Sequence, residues 1–201
     1  MAAAEYFEKR VPFAWNERLA AQAARGAEGA DLLAKMRAAD FALEVVVGAG
    51  GADGRFHLVV ERGEMRSDRS THPQPLVTLS LTEADCARLE ANVGPSPMNL
   101  LGGIGGNPDF VLTPARVAGL REIEGTMRIE VTGADPWGVI LHFGAPPVPP
   151  VATTVSIGDA EFAQLLAGAL DLQGAFMTGK LQLGGNVEVP MKMAMAIMSP
   201  D

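Results

Sequence analysis

The sequence predicts an α+β fold: an antiparallel or mixed sheet flanked by helices, with its basic unit present twice. Three observations predict it. Short runs alternate apolar and polar side chains at a period of two, the spacing of a half-buried strand. Other stretches place apolar residues three and four apart, the spacing of a helix face. The order of these elements in the first part of the chain then recurs in the second. The 23 glycines and 14 prolines favour many short elements over a few long ones.

Phe7, Val11, Trp15 and Leu19 recur every fourth residue, so residues 1–25 read as helical. Pro12 interrupts that stripe, which predicts a kink or two shorter helices. This arm, bounded at residue 29, is either a packing element over the core or a lid over a ligand entrance. Asp31 to Ala39 is a short helix with Leu32, Leu33 and Met36 inward. The run from Phe41 to Val47 is a strand whose Phe41, Leu43, Val45 and Val47 share a face. A glycine-rich turn over 48–54 leads to its antiparallel partner, with Phe56, Leu58 and Val60 together. Residues 63–75 are polar and read as a connection. Leu76 to Leu81 is a strand, and Thr82 caps a helix from Glu83 to Ala91 with acidic residues in its first turn. Residues 94–109 read as a loop.

From residue 127 the order repeats: a strand from Met127 to Val131, a turn, and a strand from Trp137 to Phe143. A proline run, Pro146 to Pro150, follows. Thr153 to Ile157 is a strand, and Asp159 to Ala167 a helix with Phe162, Leu165, Leu166 and Ala169 inward. Aligned, Phe56 falls on Trp137, Leu58 on Val139 and Val60 on Leu141. Further on, Thr78 falls on Thr154, Glu83 on Asp159 and Leu89 on Leu165. This divides the chain into the arm (1–29), a degenerate first copy (30–109) and a second copy (110–201). The copies differ in apolar volume: Cys86 stands for Phe162 and Glu90 for Leu166.

Hydrophobic residues are 48% of the chain, enough for a substantial core, but aromatics are only 5%. The formal net charge of −8 argues against nucleic acid, whose binding rests on clustered Lys and Arg. It also argues against standing attraction to anionic lipid surfaces. One cysteine excludes an internal disulfide, and three scattered histidines argue against a structural zinc site. No apolar run reaches the roughly 18 residues of a spanning helix, so stable membrane insertion is not expected. With no leader pattern visible, the expected compartment is the cytoplasm.

Signatures of catalysis are absent from the sequence. His142 and His57 alternate with the apolar residues of their strands and point to the opposite face; His72 lies in a loop. His142 has no adjacent acid or nucleophile, and no Gly-x-Ser-x-Gly or His-Glu-x-x-His occurs. The glycine run from Leu101 to Pro108 lacks the Gly-Lys-Ser/Thr of a phosphate loop. Glu44 and Glu130 occupy matching strand positions and read as solvated sheet residues. Cys86 reads as an inert core thiol. No cofactor is indicated.

The last stretch, Gly168 to Met198, is the most distinctive. Phe176-Met177-Thr178-Gly179-Lys180 leads into the alternating Leu181-Gln182-Leu183 and a Gly184-Gly185-Asn186 turn. Pro190 then opens a helix in which five of eight positions, 191–198, are Met or Ile. Thioether side chains are flexible enough to close around more than one apolar shape, although Met at helical spacing also serves as core filler.

This pattern resembles the C-terminal signature of the sterol carrier protein 2 family. The strands at Trp137–Leu141 and Thr153–Ile157 and the helix at Asp159–Ala167 fit the same family, so the resemblance spans roughly residues 110–198. It implies a sterol-carrier-like α+β fold with an apolar tunnel for fatty acyl chains, acyl-CoA or sterols. In this sequence the proline run stands where the family has a further strand. The resemblance implies non-enzymatic binding or transfer of a hydrophobic ligand by the second copy. Its wall would comprise Trp137, Phe143, Phe162, Leu165 and Leu166. Phe176, Met177, Leu181 and Leu183 would continue it, and Met191, Met195 and Met198 would contribute from the last helix. The alternatives are a cavity enzyme acting on a hydrophobic substrate and a ligand-free scaffold.

Overall fold

The structure is a computed structural model, and it describes residues 2–68, 74–94, 111–145 and 148–199. The glycine run at 101–108, His72 and Pro146-Pro147 lie outside the described residues.

Eight strands form one mixed sheet in the order β3-β2-β1-β4-β6-β5-β7-β8. β1 (Phe41–Val47) and β2 (Arg55–Glu61) are antiparallel, and β4 (Val77–Leu81) returns parallel to β1. β5 (Gly125–Thr132) and β6 (Trp137–Phe143) repeat that hairpin, and β7 (Thr153–Gly158) returns parallel to β5. The outer strands are β3 (Glu64–Asp68), antiparallel to β2, and β8 (Leu181–Gly185), antiparallel to β7. The halves meet where β4 pairs antiparallel with β6.

That meeting point explains the strand count. The first half carries an extra strand outside its hairpin, β3; the corresponding edge of the second half's hairpin is the one that β4 occupies. The second half carries an extra strand outside its returning strand, β8; the corresponding edge of the first half is occupied by β6. An open edge of unpaired N–H and C=O groups is a liability for aggregation, and here each half covers the other's.

Register refines the alignment of the halves. Glu44 lies opposite Thr78, whereas Glu130 lies opposite Ser156. Thr78 therefore matches Ser156 and not Thr154. A two-residue slip keeps every side chain on its own face, because the strand period is two.

Strand β3 departs from the expected polar connection. Of its residues only Met65 is deeply buried, so it carries little apolar alternation. Arg62 and Gly63, both at positive φ (52° and 83°), make the tight turn into it. The arm's helix α2 (Val11–Ala24) then fixes it: Asn16 exchanges two hydrogen bonds of 2.9 Å with the Met65 backbone, and Trp15 Nε1–H donates to the Gly63 carbonyl at 2.7 Å. α2 is preceded by α1 (Ala2–Glu5) and a π-helical turn over Tyr6–Arg10. Widening the helix just before Pro12 accommodates a ring that would otherwise crowd the carbonyl one turn back.

The remaining helices are α3 (Ala30–Ala38), α4 (Glu83–Val93), α5 (Pro114–Arg121), α6 (Asp159–Leu166), α7 (Leu172–Met177) and α8 (Glu188–Met198). Thr82 caps α4, as expected, by accepting the Asp85 N–H at 3.0 Å. Asp171 caps α7 by accepting the Gly174 N–H at 2.7 Å. α8 starts at Glu188, before Pro190, which is tolerated because N–H groups of a first helical turn have no partner inside the helix. α5 and α8 cross closely: a Cβ on Gly119 would stand 3.1 Å from that of Ala196. One apolar core runs the length of the sheet, from Phe7 and Phe56 to Phe162 and Leu181.

Candidate functional site

Alternation along paired strands divides the sheet into two chemically distinct faces. On one, Trp137, Phe143, Met127, Val155, Leu181 and Leu183 lie at laterally matching positions. Helix α6 adds Phe162 and Leu165 to the same core. The Phe162 ring stands edge-on to Trp137, with centroids 5.4 Å apart. Trp137, Phe143, Phe162, Leu165 and Leu181 are all buried, and Leu166 and Leu183 are half-buried against them. These seven expected site residues therefore belong to one apolar layer between sheet and helices.

The other expected residues lie outside that layer. Helix α8 turns Val189, Met193, Ala196 and Ile197 into the core. Its opposite side carries Met191, Met195 and Met198, spaced four and three apart and each more than half exposed. Phe176 and Met177, on α7, are 55% and 76% exposed, while Ala175 between helix and sheet is fully buried. The methionines therefore divide by position: Met193 packs, and the other three face outward. Helical spacing foretold the stripe but not which side would be covered. α5 and β5, distant in sequence, decide that.

The opposite face of the sheet carries a polar row that sequence reasoning missed. Asp68, His57, Glu44, Thr78, His142 and Thr126 stand side by side on six successive strands. Thr78 Oγ1 donates to Glu44 at 3.1 Å, and Thr126 Oγ1 lies 3.1 Å from His142 Nδ1. His57 Nε2 is 4.0 Å from Glu44 Oε1. Both histidines are buried, and among the described residues His57 Nδ1 and His142 Nε2 have no hydrogen-bond partner. Its members come from six separate segments, so nothing in the linear sequence links them. The row keeps both histidines on the side of the sheet opposite Trp137.

The first half builds its core differently. Cys86 on α4 is buried, and burial pushes its thiol pKa up, which keeps it a neutral thiol. Phe56, the counterpart of Trp137, is covered by Phe7 of the arm at 5.5 Å. Tyr6, fully buried beside Phe7, donates its hydroxyl to the Gly94 carbonyl at 2.6 Å. Glu90 forms an ion pair with Arg10 on the arm. Among the described residues no group of three or more His, Cys, Asp and Glu is arranged to hold a metal ion. Nor is any described helix long and apolar enough to cross a membrane.

No curated protein matches this chain. Solved structures similar to it include sterol carrier protein 2 like 2 from Aedes aegypti, 18% identical over 56% of this chain and 92% of that one, with a TM-score of 0.31. The palmitated form of the Aedes aegypti protein in solution is 20% identical over 58% and 93%, with a TM-score of 0.30. Sterol carrier protein 2 from Yarrowia lipolytica, in its apo form, is 18% identical over 50% and 94%, with a TM-score of 0.31. The family model for SCP-2 sterol transfer matches residues 112–198, a span that contains every residue of the apolar layer around Trp137 and Phe162 and all of α8. Over residues 112–198, somewhat less than half of its length, this chain matches the SCP-2 sterol transfer family.

Proposed function

We propose that this protein binds and carries a hydrophobic lipid-like molecule, such as a fatty acyl chain, an acyl-CoA or a sterol, through its second half. The observation that carries this reading is the match of residues 112–198 to a lipid-carrier family. The same residues supply a predominantly apolar layer between sheet and helix. In this reading Trp137, Phe143, Phe162, Leu165, Leu166, Leu181 and Leu183 form the holding wall. Phe176, Met177, Met191, Met195 and Met198 form an adaptable outer rim that receives and releases the ligand. The chemistry is burial and no bond is made or broken. At about 0.8 kcal/mol per methylene, a long acyl chain gains roughly 10 kcal/mol or more on leaving water. Ordering and association costs offset much of that, which points to affinities on the micromolar scale.

Carriage is favoured over catalysis because both described histidines lie across the sheet from this wall. We further infer that the chain is a tandem pair, a degenerate copy at 30–109 and a binding copy at 110–201, with 1–29 as an arm. The repeated strand order and the matched positions of Phe56 and Trp137 support it.

The test is displacement of an environment-sensitive fatty acid probe. The probe should gain fluorescence with the full chain and lose it when unlabelled acyl chains or sterols are added. Uptake should change little with salt, since apolar burial drives it. No uptake of any acyl or sterol probe, or a steep salt dependence, would overturn the reading.

A further inference from the structure

The first half has a groove of about 570 Å³ between the arm, the β1–β2 turn and helix α4. Drug-sized ligands occupy sites of roughly 300–1,000 Å³, so the space is of ligand size. It stays open because its walls carry little side chain. Ala3 and Ala4 of the arm form one side, Ala87 of α4 another, and Ala49, Gly50 and Gly51 of the turn a third. Val47 and Cys86 add apolar surface; Cys86 is only 5% exposed. In the second half, the position of Cys86 is filled by the Phe162 ring.

Among the described residues that line the groove, every charged one is acidic: Asp53, Glu83 and Glu90. Glu90 is engaged by Arg10, and Arg55, near Gly50, is engaged by Glu44. Asp53 and Glu83 have no ion-pair partner among the described residues. A trough of mixed polar and apolar surface with two exposed carboxylates at its edge suits a ligand with a short hydrocarbon body and a positive end. It repels the carboxylate of a fatty acid, so it is chemically distinct from the wall around Trp137.

We propose that this groove binds an organic ammonium ion carrying a short alkyl chain. The chain lies against the alanines, Val47 and Cys86, and the ammonium group lies between Asp53 and Glu83.

The experiment uses the full chain with ¹³C-methyl-labelled alanine, titrated with hexylammonium and, separately, with hexanoate at equal ionic strength. Hexylammonium should move the Ala3, Ala4, Ala49 and Ala87 methyl signals saturably, while hexanoate leaves them in place. Asp53→Asn and Glu83→Gln should each weaken binding about fivefold, the upper end of what one accessible ion pair contributes. Ala87→Phe, which fills the trough, should abolish the response. The two carboxylate changes lie on exposed residues, so they remain informative if Ala87→Phe does not fold. The proposal is overturned if hexanoate moves the same methyls equally, if no saturable response appears, or if the Asp53→Asn/Glu83→Gln double variant keeps wild-type affinity.

Discussion

The two halves cover the same sheet position from different sources. In the second half Trp137 is covered by Phe162 from the helix that follows its own returning strand. In the first half the matching helix offers Cys86, and Phe56 is covered by Phe7 from the arm. The ring separations are nearly equal, 5.4 and 5.5 Å. Close packing demands that the volume above a large apolar residue be filled, but it does not specify which segment fills it. With the arm in that place, α4 carries Cys86 and Glu90, the latter tied to Arg10 of the same arm. In the first half the arm thereby covers the sheet at Phe56. The second presents an outward row of methionines.

The comparison breaks most directly by separating the halves. Expression of residues 1–109 and 110–201 as separate chains should leave at least one insoluble, because each would expose the strand edge that β4 or β6 now covers. Two soluble halves, each melting cooperatively, would show that the seam is dispensable.

Removing each covering ring is the next largest perturbation. Phe7→Ala and Phe162→Ala should each destabilise the chain by about 3–5 kcal/mol, the usual loss for a buried phenylalanine. Denaturant midpoints measure this. A much smaller loss for Phe162→Ala than for Phe7→Ala would mean that the second half's aromatic pair borders open space, which would sharpen its assignment as the ligand wall.

Lipid uptake separates the halves by function. Leu166→Phe and Met195→Trp should reduce uptake of the fatty acid probe, whereas Cys86→Trp in a folded protein should not. Met195 is 64% exposed, so its change should alter stability by less than about 0.5 kcal/mol. Loss of uptake on Cys86→Trp alone would move the site to the first half.

Tyr6 offers a test of arm closure by pH. Burial is the main reason its pKa is raised above the ordinary phenol value, so the folded state favours the neutral hydroxyl. A folded pKa above the unfolded one gives stability that is complete below about pH 10 and falls as pH rises beyond it. Tyr6 is the only tyrosine in the chain, so phenolate absorbance reports it alone. That absorbance should appear together with unfolding, and Tyr6→Phe should flatten the alkaline loss of stability. The smallest effect is expected for Arg88→Ala, which breaks a 2.6 Å ion pair with Asp135 between α4 and the β5–β6 turn. Its fall in melting temperature should disappear in high salt, since both groups meet solvent.

Much of this was legible in the sequence. Seven of the eight strands, the Thr82 cap and the placement of His57 and His142 on the face opposite Trp137 all follow from period and capping chemistry. β3 was hidden because its residues are polar and its pairing rests on Asn16 and Trp15, nearly fifty residues away. The wall from Trp137 to Leu183 could be read because alternation fixes its face. The exposure of Met191, Met195 and Met198 could not, since an oily helix has no preferred side until a partner such as α5 claims one. The polar row across six strands was equally invisible, because lateral neighbours in a sheet leave no trace in linear spacing.

The seam has a mechanical consequence. β4 and β6 pair only over Thr78–Ser80 and Ile140–His142, whereas β1–β2 and β5–β6 are joined along nearly their whole lengths. Beyond that short ladder the join continues through side chains: Asp85 accepts the Gly138 N–H at 3.2 Å, and Arg88 meets Asp135. The β4–β6 ladder is the shortest of the sheet, so the join between the halves rests less on backbone bonds than any other strand pair does. Because part of the join is ionic, its strength is set by the surrounding electrolyte as well as by the fold.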